Sequence, residues 1–331
     1  MRSTTAAHTV PTFTGDVPAD ELGTTLIHEH VFVGHPELDL NLPHPEWDEE
    51  QAVEKAVAGF ERLYALGVRT VVDLTVPGLG RDVARVLRVA RRSPVRLVAA
   101  TGYYTADGLP QFFRTHGPGG LVDSEDPLVE LFLRDIREGI AGTDIRAGML
   151  KVFSDADGIT ADVERVFAAA AHAHLETGVP VTTHSHAPSR GGIGQQQLLA
   201  RLGVPLDRVV IGHAGDSDDL DYLMALADAG SFLGFDRFGM EHVVSDAQRF
   251  RMLWALISRG YADQIVLSHD AAFFSRITPP SWRKRTVPNW HMENVHTRVL
   301  PRLRELGLDD GVLDAMMIDN PRRLLAHAGH K

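Results

Sequence analysis

Apolar, β-branched runs alternate with helix-patterned stretches from residue 24 to the end of the chain. The runs read as strands over 24–33 (TTLIHEHVFV), 68–76 (VRTVVDLTV), 95–103 (VRLVAATGY), 146–153 (RAGMLKVF), 180–186 (PVTTHSH), 208–215 (RVVIGHAG), 231–238 (SFLGFDRF) and 264–271 (QIVLSHDA). Their near-continuous apolar character fits parallel strands covered on both faces, whereas half-exposed antiparallel strands would alternate. Helical periodicity fills 49–66, 80–91, 128–140, 160–177, 192–203, 217–229 and 245–259, and two more stretches, 291–306 and 310–318, follow the last strand. Gly67, Gly178, Gly203, Gly230 and Gly260 stand where helices should stop. Eight strands, each followed by helix, spell a (β/α)8 TIM barrel in one domain over 1–331, with a short lead-in over about 1–22. An open doubly wound sheet satisfies the same periodicity.

Composition narrows the function. With 331 residues and 44% hydrophobic content, the chain can bury a large core. The net charge of -11 is spread without acidic or basic blocks, which argues against a nucleic-acid or anionic-membrane partner. The absence of cysteine excludes disulfides, thiolate nucleophiles and Cys-ligated zinc. The start, MRSTTAAHTVPTF, has no apolar signal core, and no run is long enough to span a bilayer. The expectation is a cytoplasmic protein with a small-molecule substrate.

In such a barrel the C-terminal ends of the strands carry the chemistry. Those ends hold His28 and His30, Asp73, Tyr103 and Tyr104, Lys151, His184 and His186, His213, Asp236 and Arg237, and His269 and Asp270. Alternation along a strand points His28 and His30 to one face and Glu29 away. A single histidine at a strand end is ordinarily a hydrogen-bonded structural residue; ligand types ending so many strands of one closed ring point to a metal. His35, His44, His116, His172, His174, His327 and His330 lie in loops, helix or tail and read as solvated surface, and GPGG (117–120) reads as a turn, lacking the setting of a phosphate loop. Lys151 is the odd member, because a protonated lysine beside dications would be repelled. Burial and metal charge both favour its neutral amine, which can capture carbon dioxide as a carbamate and so become an anionic two-oxygen ligand.

The stretches LIHEHVF, ATGYY, AGMLKVFSDADGIT, VTTHSHA, VVIGHAGDSDDLDYL, GSFLGFDRFG, VLSHD and DNPRRLL, spanning nearly the whole chain, resemble the phosphotriesterase family of the amidohydrolase superfamily, and in particular its lactonase branch. The resemblance implies that His28, His30 and Asp270 hold a buried divalent metal and His184 and His213 an exposed one, with carboxylated Lys151 bridging the two. The metal is expected to be zinc, with cobalt, manganese or iron also accepted by such donors. Tyr104 matches the tyrosine that leans over the bridging hydroxide, and Arg237 the arginine near the substrate rim. His186 reads as lining the pocket, and His269, next to Asp270, should point away from the metals. The resemblance also suggests a homodimer.

The implied activity is hydrolysis of lactones, N-acyl-homoserine lactones first and γ- or δ-lactones next, with organophosphate triesters as a side reaction and Asp270 moving the proton. The segment over about 271–292 should form the substrate loop, with Phe273, Phe274, Trp282 and Trp290 walling an acyl-chain channel; packing of the same aromatics against the barrel is the alternative. Ala271 and Ala272 depart from the HDYCC-like run expected of lactonases, and Ala106 stands where some relatives carry a second aromatic. Other readings are a primary organophosphate triesterase or aryl-ester hydrolase, a one-metal deaminase or amidase without a modified lysine, and a non-catalytic metal-binding module on the same barrel.

Overall fold

A computed structural model gives the fold of residues 8–326. The eight expected strands form β1 (Thr25–Val33), β2 (Thr70–Asp73), β3 (Arg96–Gly102), β4 (Ala147–Phe153), β5 (Val181–His184), β6 (Val209–Ile211), β7 (Phe232–Phe235) and β8 (Ile265–Leu267), paired in parallel and in sequence order. The ring closes through the chain beyond β8. Asp270 N–H donates to the His28 carbonyl at 3.1 Å and His30 N–H to the Ala271 carbonyl at 2.9 Å. A further strand, β9 (Ala272–Ser275), then continues parallel to β1 on its other edge.

Helices α1 (Glu49–Ala65), α2 (Val83–Ala90), α3 (Pro127–Arg137), α4 (Ala161–Thr177), α5 (Gly191–Arg201), α6 (Leu220–Asp228) and α7 (Asp246–Ile257) follow the first seven strands. Asp48, Asp82, Asp126, Thr160, Asp219 and Ser245 cap their first turns through side-chain oxygens, satisfying backbone N–H groups that the helix leaves unpaired. At the other end of α4 the chain turns on Gly178 at φ 74°, the left-handed conformation glycine adopts without a Cβ clash. On α1, Ala52, Val53, Ala56, Val57, Phe60 and Leu63 repeat at helical spacing and pack against the barrel's outer surface.

Two apolar layers result. Leu26, Val71, Leu97, Leu150, Val181 and Ile211 face the helices, while Ile27, Val72, Val98, Met149, Val210 and Val266 fill the barrel interior. The N-terminal lead-in is more ordered than its composition suggests. Thr9–Thr12 and Gly15–Pro18 form an antiparallel hairpin, and Val10, Ala19 and Leu22 join the interior cluster with Leu324 and Leu325, plugging the end of the barrel away from the rim histidines.

Other differences cluster near the rim. The strands expected over 208–215 and 264–271 stop at Ile211 and Leu267, so their last residues leave the ladder. The supposed loop after β8 contains β9 and a helix, α8 (Pro280–Thr286). The final helical stretch runs on to Leu325 through a wider π-type turn over Ala315–Asp319. His174 is buried, not solvated: its Nδ1 donates to the Val179 carbonyl at 2.8 Å, tying α4 to the start of β5. His327 and His330 lie outside the described residues. No described helix is long and apolar enough to cross a membrane.

Candidate metal centre

His28 and His30 on β1, Lys151 on β4, His184 on β5, and His213 and Asp270 just past β6 and β8 line one cavity of about 240 Å3 at the barrel rim or pack directly behind it. His213 and Asp270 occupy left-handed backbone conformations, φ 61° and 52°, uncommon for residues with a Cβ. Those two kinks are where the predicted strands break off, and they turn the side chains inward. Such strain persists only where surrounding structure imposes it, and it concentrates at functional sites.

The clamp on Asp270 is Glu29. Its Oε1 accepts hydrogen bonds from Ser268 Oγ at 2.9 Å, His269 N at 3.0 Å and His269 Nδ1 at 2.5 Å, and its Oε2 accepts from Ala271 N at 3.0 Å. Glu29 thus points away from His28 and His30, as alternation requires, but it is fully buried against the 268–271 segment. Burial pushes its carboxyl well up, and the bonds from Ala271 and Ser268 pull back. His269 also points away from the cavity, with Nε2 accepting from Val295 N at 2.9 Å.

Three rim histidines, His28, His30 and His213, are oriented through the ring nitrogen that faces away from the cavity. Asp236, fully buried at the end of β7, accepts from His28 Nδ1 at 2.7 Å and from His213 Nδ1 at 2.9 Å. Burial alone would raise the Asp236 carboxyl; the two histidines outweigh it and hold the group far below the usual carboxylate range. His30 Nδ1 donates to Thr75 Oγ1 at 3.0 Å, and Thr75 Oγ1 donates to Asp73 at 2.6 Å. A neutral imidazole anchored at Nδ1 presents its Nε2 lone pair, the form that binds a metal. The Nε2 of His30 lies 3.1 Å and that of His28 3.5 Å from Asp270 Oδ1, while His213 Nε2 faces His184 Nδ1 at 2.9 Å.

Lys151 is 1% exposed. Its Nζ lies 3.3 Å from His28 Nε2 and 3.4 Å from the Thr183 carbonyl, and it makes no ion pair among the described residues. Burial pushes its amine down to about 8, with Asp270 and Asp236 pulling partway back. Gly102 makes room for this register, because a Cβ there would lie 1.9 Å from the Lys151 carbonyl oxygen.

Two trios of potential ligand atoms cluster within 4.8 Å: His28, His30 and Asp270, and His28, His213 and Asp236. In the second, Asp236 meets the Nδ1 atoms and so orients both rings from behind. The open donors are therefore His28, His30, Lys151, His184, His213 and Asp270, an imidazole and carboxylate set suited to divalent ions of the zinc, cobalt, manganese and iron kind.

Arg237 is tied twice, Nε to Asp270 Oδ2 at 3.1 Å and Nη1 to Asp216 Oδ2 at 3.0 Å. Arg249, fully buried, holds Asp216 Oδ1 in turn at 2.6 and 2.8 Å. Tyr104 lines the cavity with its ring 5.7 Å from that of His184, and burial raises its phenol above the usual range. His186 turns to Ser189, its Nδ1 2.9 Å from Oγ, away from the rim donors.

The aromatics of the last loop divide. Trp290 lines the cavity and donates from Nε1 to the His269 carbonyl at 2.8 Å. Trp282 meets His242 edge-on at 5.2 Å, and His242 lines the cavity. Phe273 and Phe274, expected along the acyl channel, do not line this cavity: Phe273 packs on Phe60 of α1 at 4.9 Å and borders an adjoining cavity of about 270 Å3, and Phe274 packs on Trp47 at 4.6 Å. The reason is β9, whose pairing with β1 turns these rings into the helix layer while Ala272 and Ser275 line the cavity. Sequence reasoning gave no role to Asp236, Thr75, Asp216, His242 or Arg283; a buried carboxylate beside Arg237 in DRFG was the one available signal.

A parallel barrel with this donor set at the C-terminal rim defines the class: a metal-dependent hydrolase. The chain belongs to the phosphotriesterase family, whose model matches residues 8–325. A phosphotriesterase homology protein from Mycobacterium tuberculosis is 44% identical over 315 residues, 95% of this chain and 97% of that protein. An aryldialkylphosphatase from Saccharolobus solfataricus is 36% identical over 312 residues, 94% of this chain and 97% of that protein. The solved structure of the phosphotriesterase from Mycobacterium tuberculosis superposes with a TM-score of 0.94 at 43% identity, covering 98% of this chain and 100% of that chain.

Proposed function

We propose that the chain is a two-metal lactonase whose substrates are N-acyl-homoserine lactones or γ- and δ-lactones, with organophosphate triesters as a second substrate class. His28, His30 and Asp270 would hold one ion, His184 and His213 the other, and Lys151, carboxylated by carbon dioxide, would bridge them. Divalent ions held by these residues would supply an acidified water and a polarised carbonyl or phosphoryl oxygen. The chain's own groups do the rest. Asp270, anchored by Arg237 and Glu29, takes the proton of the attacking water and returns it to the leaving oxygen. Tyr104, its phenol held protonated, donates to the oxygen that gains charge. Leu79, Met240, Val243, Ile277 and Trp290 supply an apolar wall that excludes water and accepts the organic part of a lactone.

The observation that carries this reading is Lys151: a fully buried amine beside an imidazole, with no carboxylate in ion-pair contact among the described residues, is a poor place for an ammonium and a good one for a carbamate ligand. The triester class rests on the aryldialkylphosphatase relative. The whole chain would act as one domain, in the cytoplasm, as a homodimer. The test is steady-state kinetics of metal-reconstituted protein on acyl-homoserine lactones, aliphatic lactones and phosphotriesters. Lactones should give the higher kcat/KM; a triester turned over much faster than every lactone overturns the assignment.

A further inference from the structure

Arg283, on α8, is 7% exposed and has no carboxylate, carbonyl or hydroxyl partner for its guanidinium among the described residues. Its Nε is buried without a hydrogen bond, and its one cationic contact is the face of Trp290, 5.4 Å from ring centroid to Cζ. Burial pushes the guanidinium down to about 10 with no acid offsetting it, so the side chain remains a cation at neutral pH. The chain's other well-buried rim arginines are treated differently: Arg237 spans Asp270 and Asp216, and Arg249 spans Asp216 and Asp246.

A largely buried guanidinium with Nε unbonded and no anionic partner is costly to a fold, so its position calls for a partner that arrives from outside. Arg283 lines the metal-site cavity together with Trp290 and Ala272. The same three residues line a second cavity of about 270 Å3 behind it. Arg283 therefore stands in the wall between the rim donors and a further space where the distal part of a substrate can lie. The small Ala272 side chain, paired across from His30, keeps that wall thin.

We propose that Arg283 is the anion-binding group of the substrate cavity, and that the preferred substrate is a lactone carrying a carboxylate remote from its scissile bond. A planar carboxylate matches the donor fork of a guanidinium and would supply the charge-assisted bonds Arg283 lacks. The proposal rests on the lactonase reading and narrows it: an acyl-homoserine lactone brings no charge to Arg283, whereas an acidic γ- or δ-lactone does. Trp290, held by the His269 carbonyl, keeps the guanidinium from swinging away.

The test uses metal-loaded protein and a matched pair, γ-butyrolactone carrying a 3-carboxypropyl chain on its γ-carbon and the corresponding primary amide. Wild type should prefer the acid over the amide in kcat/KM by about 10- to 100-fold, the worth of a charge-assisted hydrogen-bond pair. In Arg283→Gln that ratio should collapse towards one, and Arg283→Lys should recover part of it. Both variants should melt no lower than wild type, a result a purely structural arginine would not give. Turnover of both compounds without preference, or an equal loss on both in Arg283→Gln, overturns the anion site and leaves the lactonase reading standing. Turnover of neither, with no acyl-homoserine or aliphatic lactone turned over either, overturns the lactonase reading. Calorimetry of the ring-opened diacid then still decides for Arg283: about tenfold or greater weakening of binding in Arg283→Gln supports the site, and equal binding overturns it.

Discussion

Asp236 shows what a single buried carboxylate can control. It accepts from His28 and His213, residues assigned to different ions, so one side chain sets the ring orientation on both sides of the centre. Asp236→Asn should therefore weaken both sites by about 10- to 100-fold in metal affinity, measured by chelator competition. Retention of one site at full affinity would contradict the shared role. At this scale the sequence was most legible where chemistry and spacing coincide: HEH on β1 announces two imidazoles on one face, and an isolated lysine on β4 announces an unusual amine. It was least legible for partners brought together across the fold. Nothing local tells that Asp236 meets His28 across 208 residues, or that Arg283 meets no acid among the described residues.

Among elements, the two rim kinks and β9 carry the functional detail. The strands holding His213 and Asp270 were legible as strands, but their early ends were not, because left-handed backbone at a residue with a Cβ has no compositional signature. The clamp that sustains the second kink was half visible: alternation turned Glu29 outward without revealing that it grips 268–271. Phe273 and Phe274 stay out of the metal-site cavity for a related reason. The segment reads as loop, yet β9 extends the sheet along β1 and sets both rings against Phe60 and Trp47 while Ala272 and Ser275 line the cavity. The slot for Phe273 is Gly59 in α1, where a Cβ would sit 2.1 Å from the phenyl ring. Gly59→Ala should destabilise the protein by about 1–3 kcal/mol through overpacking, read by denaturant unfolding, and should shift β9 and Ala272 with it. A neutral substitution would mean that Phe273 is free to move. Arg249 tests the α7 side of the rim. Arg249→Met leaves the buried Asp216 Oδ1 without its partner, Arg237 still holding Oδ2, and should lower stability by roughly 3–5 kcal/mol, with a rise in KM as Arg237 loses its anchored partner. An unchanged melting temperature would contradict that account.

For the whole molecule, eight strand–helix alternations sufficed to read the barrel, and the rim rule then placed the site. The N-terminal hairpin escaped notice because its two four-residue strands carry little periodicity, although Val10 and Leu22 plug the barrel. Stability should also carry a pH signature from buried neutral histidines. Burial lowers His269 to about 3 and His296 to about 4, both from 6.5, and the His296 ring nitrogens have no partner. Because the folded pKa lies below the unfolded one, the unfolded chain binds more protons between those values. Stability is then full above about 6.5 and falls as pH drops towards 4. His296→Leu should flatten that fall by about one proton in thermal melts between about pH 7 and pH 5; an unchanged slope would show that His296 titrates normally. The central claim, a pair of ions bridged by a modified lysine, is tested most directly by anomalous diffraction from crystals grown with a divalent transition metal and bicarbonate. Two anomalous peaks should appear, one against His28, His30 and Asp270 and one against His184 and His213, with continuous density from Lys151 Nζ to both. A single peak, or a bare Lys151 amine with no ion beside it, would contradict the account.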